Sequence, residues 1–128
     1  MTVEMNEQLN QPFLEEEIVT ALNQMHPAKA HGHDGLLAIF FQKHWQAVKE
    51  GVIATGMHIL NKGGNIAHLN HSYIALIPKV TKPKKVVDFR LISLCNVMYR
   101  IIANVIANRL KLFLHDVVSN TQIAFIPK

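Results

Sequence analysis

One cysteine, Cys95, stands in the whole chain. A lone cysteine excludes an internal disulfide and a cysteine-rich zinc site. The N-terminal stretch MTVEMNEQLNQPFLEEE lacks the basic start and apolar run of a secretory signal. Together these absences point to a reducing, intracellular setting, with nucleus and cytoplasm equally compatible. No apolar run approaches the roughly 20 residues that a membrane helix needs, so a membrane partner is not expected. Aspartates are scarce as well: Asp34, Asp88 and Asp116 are far apart in sequence. Two-metal phosphoryl chemistry needs carboxylates clustered tightly enough to hold two cations about 4 Å apart. The chain also has no G-x-S-x-G nucleophile elbow and no glycine-rich phosphate loop ending in Lys-Ser/Thr. Taken residue by residue, it is catalytically empty, with no metal or cofactor site expected.

What is present is apolar mass and polarised charge. Hydrophobic residues make up 49% of 128 and charged residues 17%, which suits one compact domain and excludes a disordered tail. Residues 1–50 carry seven acids against three lysines, whereas residues 79–111 carry eight bases against Asp88 alone. That local excess attracts polyanions. Lys79, Lys82, Lys84 and Lys85 crowd a turn that Pro83 keeps from being helical. Arg90, Arg100, Arg109 and Lys111 follow, so Lys82, Lys84, Lys85, Arg100, Arg109 and Lys111 are candidate contacts for a nucleic-acid backbone. A solvated, solubilising loop is the plainer alternative for the lysines. Eight histidines include the pairs His31/His33 and His68/His71, but two separate pairs do not establish a converging ligand set.

The periodicity predicts an α+β fold, mostly helical with one short antiparallel hairpin. Residues 1–11 read as a loose polar leader. Leu14, Ile18, Leu22 and Met25 form one helical stripe, with Glu15, Glu16 and Glu17 complementing the dipole of its first turn. A glycine-rich loop through Asp34-Gly35 leads to a second helix from about Leu36 to Leu60, unbroken or kinked, stopped by Gly63-Gly64. Residues 72–78 read as a strand, and Val86, Val87 and Phe89 as a second strand pairing back. From Leu94 to Val118 a broad apolar stripe predicts a helix. That stripe is too wide for one flank, so Ile101, Ile106 and Phe113 are expected in an uncovered patch that favours self-association.

Several segments together resemble a known family. Lys29-Ala-His-Gly-His-Asp-Gly35 resembles KAPGPDG, and Phe40-Phe-Gln-Lys-His-Trp45 resembles FFQKxW. Leu76-Ile-Pro-Lys79 resembles LIPK, and Asp88-Phe-Arg-Leu-Ile-Ser-Leu-Cys-Asn96 resembles DFRPISLCN. Ala107-Asn-Arg-Leu110 resembles ANRL, and Ser119 to Pro127 resembles SxxQxAFxPGR. In this order and spacing the six are similar to the N-terminal part of plant LINE-type non-LTR retrotransposon reverse transcriptases, over about residues 12–128.

The resemblance implies a partial RNA-directed DNA polymerase domain, the fingers and start of the palm of a right-hand polymerase. By match, Lys79 and Arg90 would lie over the incoming nucleotide or template, a role suited to a point-charge lysine and a forked guanidinium. Asp34, Gly35, Gln122 and Phe125 would be template- or primer-side elements. The full family domain needs Mg2+ held by palm aspartates, and no residues matching these occur here, so the chain is expected to be inactive alone. Its departures include His31 and His33 in place of prolines and Leu91 after Arg90. The implied partner is RNA or single-stranded DNA, bound weakly and in a salt-dependent way. A small basic single-stranded nucleic-acid-binding module without enzyme activity is the alternative.

Overall fold

The computed structural model describes residues 2–118, so Gln122 and Phe125 lie outside the described residues. Six helices and two strands follow one another. They are α1 (Val3–Leu9), α2 (Glu15–Asn23), α3 (Ala38–Lys43), α4 (Trp45–Lys62), β1 (Ser72–Pro78), β2 (Phe89–Cys95), α5 (Val97–Lys111) and α6 (Leu114–Val117).

The leader expected to be loose contains a helical turn. Thr2 accepts the Met5 amide at its hydroxyl (3.3 Å), a side-chain cap for the start of α1. Helix α2 has no such cap on Leu14; instead the Glu17 carboxylate reaches back to accept the Leu14 N–H at 2.7 Å. At its other end the Gln42 amide donates to the carbonyls of Leu22 and Met25, both at 3.0 Å. The Leu22 carbonyl also accepts the Met25 N–H at 3.1 Å, so Gln42 adds a second bond there at the helix end. The second predicted helix is broken at His44 (φ −103°, ψ 26°) into α3 and α4, and α4 stops where Gly63 takes φ 64°.

The second strand lies later than its apolar residues suggested. Val86–Asp88 form a single 3-10 turn, because the Asp88 carboxylate collects the backbone N–H groups of both Lys84 and Lys85 at 2.9 Å. Pairing begins at Phe89 and runs from Pro78↔Phe89 to Ser72↔Cys95, antiparallel. Asn96 then caps α5, accepting the Tyr99 N–H at 2.8 Å, so the last helix starts at Val97 rather than Leu94.

The core lies among the helices. Ile18, Ala21 and Leu22 of α2 meet Val97, Ile101 and Val105 of α5, with Met25, Ala38, Phe41 and Val52 completing the cluster. Each fully buried aliphatic side chain there contributes about 1.5–3 kcal/mol. Gly56 makes the α2–α4 approach possible: a Cβ there would sit 2.7 Å from Ile18 Cδ1. The expected uncovered patch is therefore only partly real. Ile101 is fully buried, Phe113 is half-buried, and Ile106 (43%) is exposed on α5. The larger exposed apolar surface is on the hairpin, where Tyr73, Ile74, Leu76 and Leu91 are all more than half exposed. Among the described residues no helix is long and apolar enough to cross a membrane.

Candidate nucleic-acid interface

The basic turn joins β1 to β2 at the closed end of the hairpin. Lys82, Lys84 and Lys85 are exposed, and the turn that carries them is ordered from within by Asp88. The two amides hold the Asp88 carboxyl below the ordinary value of 3.8, which favours its ionised form. Lys79 closes the strand end: its N–H donates to the Asp88 carbonyl at 2.7 Å and its ammonium to the Val87 carbonyl at 3.0 Å. That ammonium keeps two further donors. Arg90 is exposed opposite Ile77 in the ladder. Strand alternation carries Lys79, two residues beyond Ile77, to the same side as Arg90. The hairpin therefore puts Lys79 and Arg90 at the end of the ladder that carries the lysine turn. Arg90 makes no ion pair with Asp88 or Glu50 among the described residues.

Arg109, expected to contact a nucleic-acid backbone, is taken up by contacts within the chain. Its Nε and Nη2 donate to the two Glu17 carboxylate oxygens at 2.6 and 2.8 Å, a bidentate pair between α5 and α2. The same guanidinium donates to the carbonyls of Leu9 (3.2 Å), Gln11 and Pro12 (2.7 Å) and lies 3.7 Å over the Phe13 ring. Asn61 of α4 grips Phe13 from the other side, accepting its N–H at 2.7 Å and donating to its carbonyl at 3.0 Å. Glu17 is thus an ion-pair partner as well as a dipole partner, and Arg109 holds its carboxyl below the ordinary range.

The remaining candidates are dispersed. Lys111 is exposed at the end of α5, and Arg100 is half-buried in its first turn. Asp34 is spent on a local turn, accepting the Leu36 N–H at 3.1 Å, while Gly35 takes φ 71° and closes a bond to the Gly32 carbonyl (3.2 Å). That loop is pressed onto the β2–α5 junction: a Cβ on Gly32 would meet Asn96 N at 2.5 Å and the Cys95 carbonyl carbon at 2.7 Å. The His33 ring stands edge-on to His71 and Tyr73 at centroid distances of 6.1 and 6.3 Å. Among the described residues no three His, Cys, Asp or Glu side chains come together as a metal centre would need. Sequence reasoning passed over Phe13, Asn61 and Gly32. For each, what matters is a partner at least 48 residues away or a close backbone approach, which no local pattern encodes.

No protein-family model matches the chain. It is 29% identical over 121 residues to the transposon TX1 uncharacterized 149 kDa protein of Xenopus laevis. The alignment covers 94% of this chain and 9% of that protein. The chain is therefore related over nearly its whole length to a transposon-encoded protein, and spans under a tenth of the length of that curated relative.

Proposed function

We propose that this chain is a retrotransposon-derived segment of a LINE-type reverse transcriptase, running from the fingers to the start of the palm, and that by itself it binds single-stranded nucleic acid without copying it. The observation that carries this reading is the hairpin. The LIPK-like and DFRPISLCN-like segments are the two strands that pair with each other, and they set Lys79 and Arg90 on one side of a lysine-rich turn. Similarity to a transposon-encoded protein over 94% of the chain supports it. An exposed guanidinium and ammonium at one end of the hairpin suit phosphate oxygens, the guanidinium by its planar fork and the ammonium as a point charge.

The residues here do not fit the Mg2+ that the family's full domain requires. Asp34 is committed to Leu36 and Asp88 to the amides of its own turn, and among the described residues neither belongs to a cluster of three His, Cys, Asp or Glu side chains. Purified chain is accordingly expected to give no primer extension on primed RNA in magnesium or manganese. Template-dependent product above a buffer control would overturn this.

The exposed turn also favours the simpler reading of a basic binding module, and both readings make the same binding prediction. Single-stranded RNA should bind weakly and without sequence preference, with log K falling linearly in log salt. Replacing Lys82, Lys84 and Lys85 together by alanine should reduce that slope by about 2, at about 0.7 per phosphate contact. Fluorescence anisotropy across a salt series reads the slope directly. An unchanged slope and affinity would leave the turn as a solubilising loop.

A further inference from the structure

A groove of about 600 Å³ opens at the base of the hairpin, between the segment following α2, the end of β2 and the first half of α5. Arg100 lines it, and its Nε and Nη2 are shut off from solvent with no hydrogen-bond partner among the described residues. A guanidinium in that state is costly, since its lost hydration is not replaced. Its position in the first turn of α5, at the positive end of the helix dipole, adds to the cost. An anion in the groove beside the guanidinium would offset the charge part of both penalties.

The lining is suited to one. Lys29 brings a second cation, Ser93 and Tyr99 bring hydroxyls, Asn104 brings an amide, and no acidic residue lines the groove. Donors thus arrive from three elements rather than from a single plane. A carboxylate is satisfied by the guanidinium fork alone, whereas a tetrahedral phosphate takes donors from several directions. We propose that this groove is a phosphate-binding site in which Arg100 and Lys29 hold one phosphate group. It stands at the opposite end of the hairpin from the lysine turn and does not depend on that turn's binding nucleic acid. The phosphate could belong to a free nucleotide or to a polynucleotide backbone; the chemistry is shared.

The test is thermal unfolding of the full chain at constant ionic strength, titrated separately with inorganic phosphate, a nucleoside triphosphate and a short oligothymidylate. A ligand that binds the folded state raises the midpoint by mass action. The wild-type midpoint should rise with at least one phosphate-bearing probe, and the apparent affinity should fall about tenfold or more in Arg100→Met. Phosphate's general effect as an excluded salt acts on both proteins alike. In phosphate-free buffer Arg100→Met should melt no lower than wild type, because it removes an unpaired buried charge. Arg100→Lys, which keeps charge and loses the fork, should fall between them in affinity. A rise with the triphosphate alone assigns the site to free nucleotide, and one with the oligonucleotide alone to a backbone phosphate. The lysine-turn triple alanine variant should retain the response, so that failure of the hairpin reading and failure of this site are told apart. An equal rise in Arg100→Met, no rise in wild type with any probe, or a lower ligand-free midpoint in Arg100→Met would overturn the proposal.

Discussion

Replacing Arg109 by methionine should lower the stability of the chain by about 3 kcal/mol, a fall of about 10 °C in Tm for a domain of this size. Methionine keeps much of the aliphatic packing and removes only the guanidinium. What is lost is the bidentate pair with Glu17, the bonds to the Leu9, Gln11 and Pro12 carbonyls, and the stacking over Phe13. Charge-assisted bonds contribute about 1.5–3 kcal/mol, and a cation over an aromatic ring about 0.5–2. The Gln11 and Pro12 carbonyls are exposed and can turn to water, so they add little more. Far-UV circular dichroism should show α1 frayed, because Arg109 ties the segment that links α1 to α2 onto the helical core.

The pH dependence of this pair has a definite sign. Glu17 is lowered from 4.5 in the folded chain, first by its hydrogen bond with Arg109. A depressed carboxyl stabilises the fold fully above its unfolded pKa, and this contribution is lost as pH falls through the folded value. Glu17→Gln should therefore be less stable than wild type at neutral pH by about 1–2 kcal/mol. The gap should close as pH drops below about 4.5. A gap that stays constant down to pH 3 would show that the pair carries no linked proton and that packing alone connects α2 to α5 here.

Gly32→Ala should be about as damaging, at about 3 kcal/mol, the upper end of the range for overpacking. The three atoms nearest the added methyl are Asn96 N at 2.5 Å, Asn96 Cα at 2.7 Å and the Cys95 carbonyl carbon at 2.7 Å. All are backbone, and no rotamer change relieves the clash. The loop must lift from the junction, or the start of α5 must shift and weaken the Asn96 cap. Gly51→Ala provides the contrast. Gly51 lies on the exposed side of α4 with nothing within 4 Å of an added Cβ, so the substitution should raise stability by up to about 1 kcal/mol. Denaturant melts of the two variants read opposite signs for one chemical change. A neutral Gly32→Ala would mean that the loop does not rest on the junction.

The helical elements were largely legible because their evidence is periodic. The stripe Leu14, Ile18, Leu22, Met25 announces α2, Gly63 marks the end of α4, and the lysine turn with Pro83 announces a reversal. The boundary of β2 was not, because Val86 and Val87 have strand-like side chains and their fate rests on one carboxylate. Asp88 takes the amides of Lys84 and Lys85 and winds the stretch into a 3-10 turn before pairing starts. The candidate cations divide in the same way. Lys82, Lys84, Lys85 and Arg90 are exposed where composition placed a basic surface, since a turn and an outward strand position are local properties.

Arg100 and Arg109 look alike in sequence, two arginines nine residues apart on one helix. Tertiary structure alone separated them. Arg109 finds Glu17, 92 residues earlier, and becomes part of the frame; Arg100 lines a groove, with two of its nitrogens lacking a partner among the described residues. By itself the sequence determined which residues could be helical, where the chain must turn and where positive charge accumulates, because each depends on neighbours within a few positions. Which cations are consumed in holding the fold and which remain for a ligand depends on groups brought together from opposite ends of the chain, and that only the packing of α5 against α2 decided.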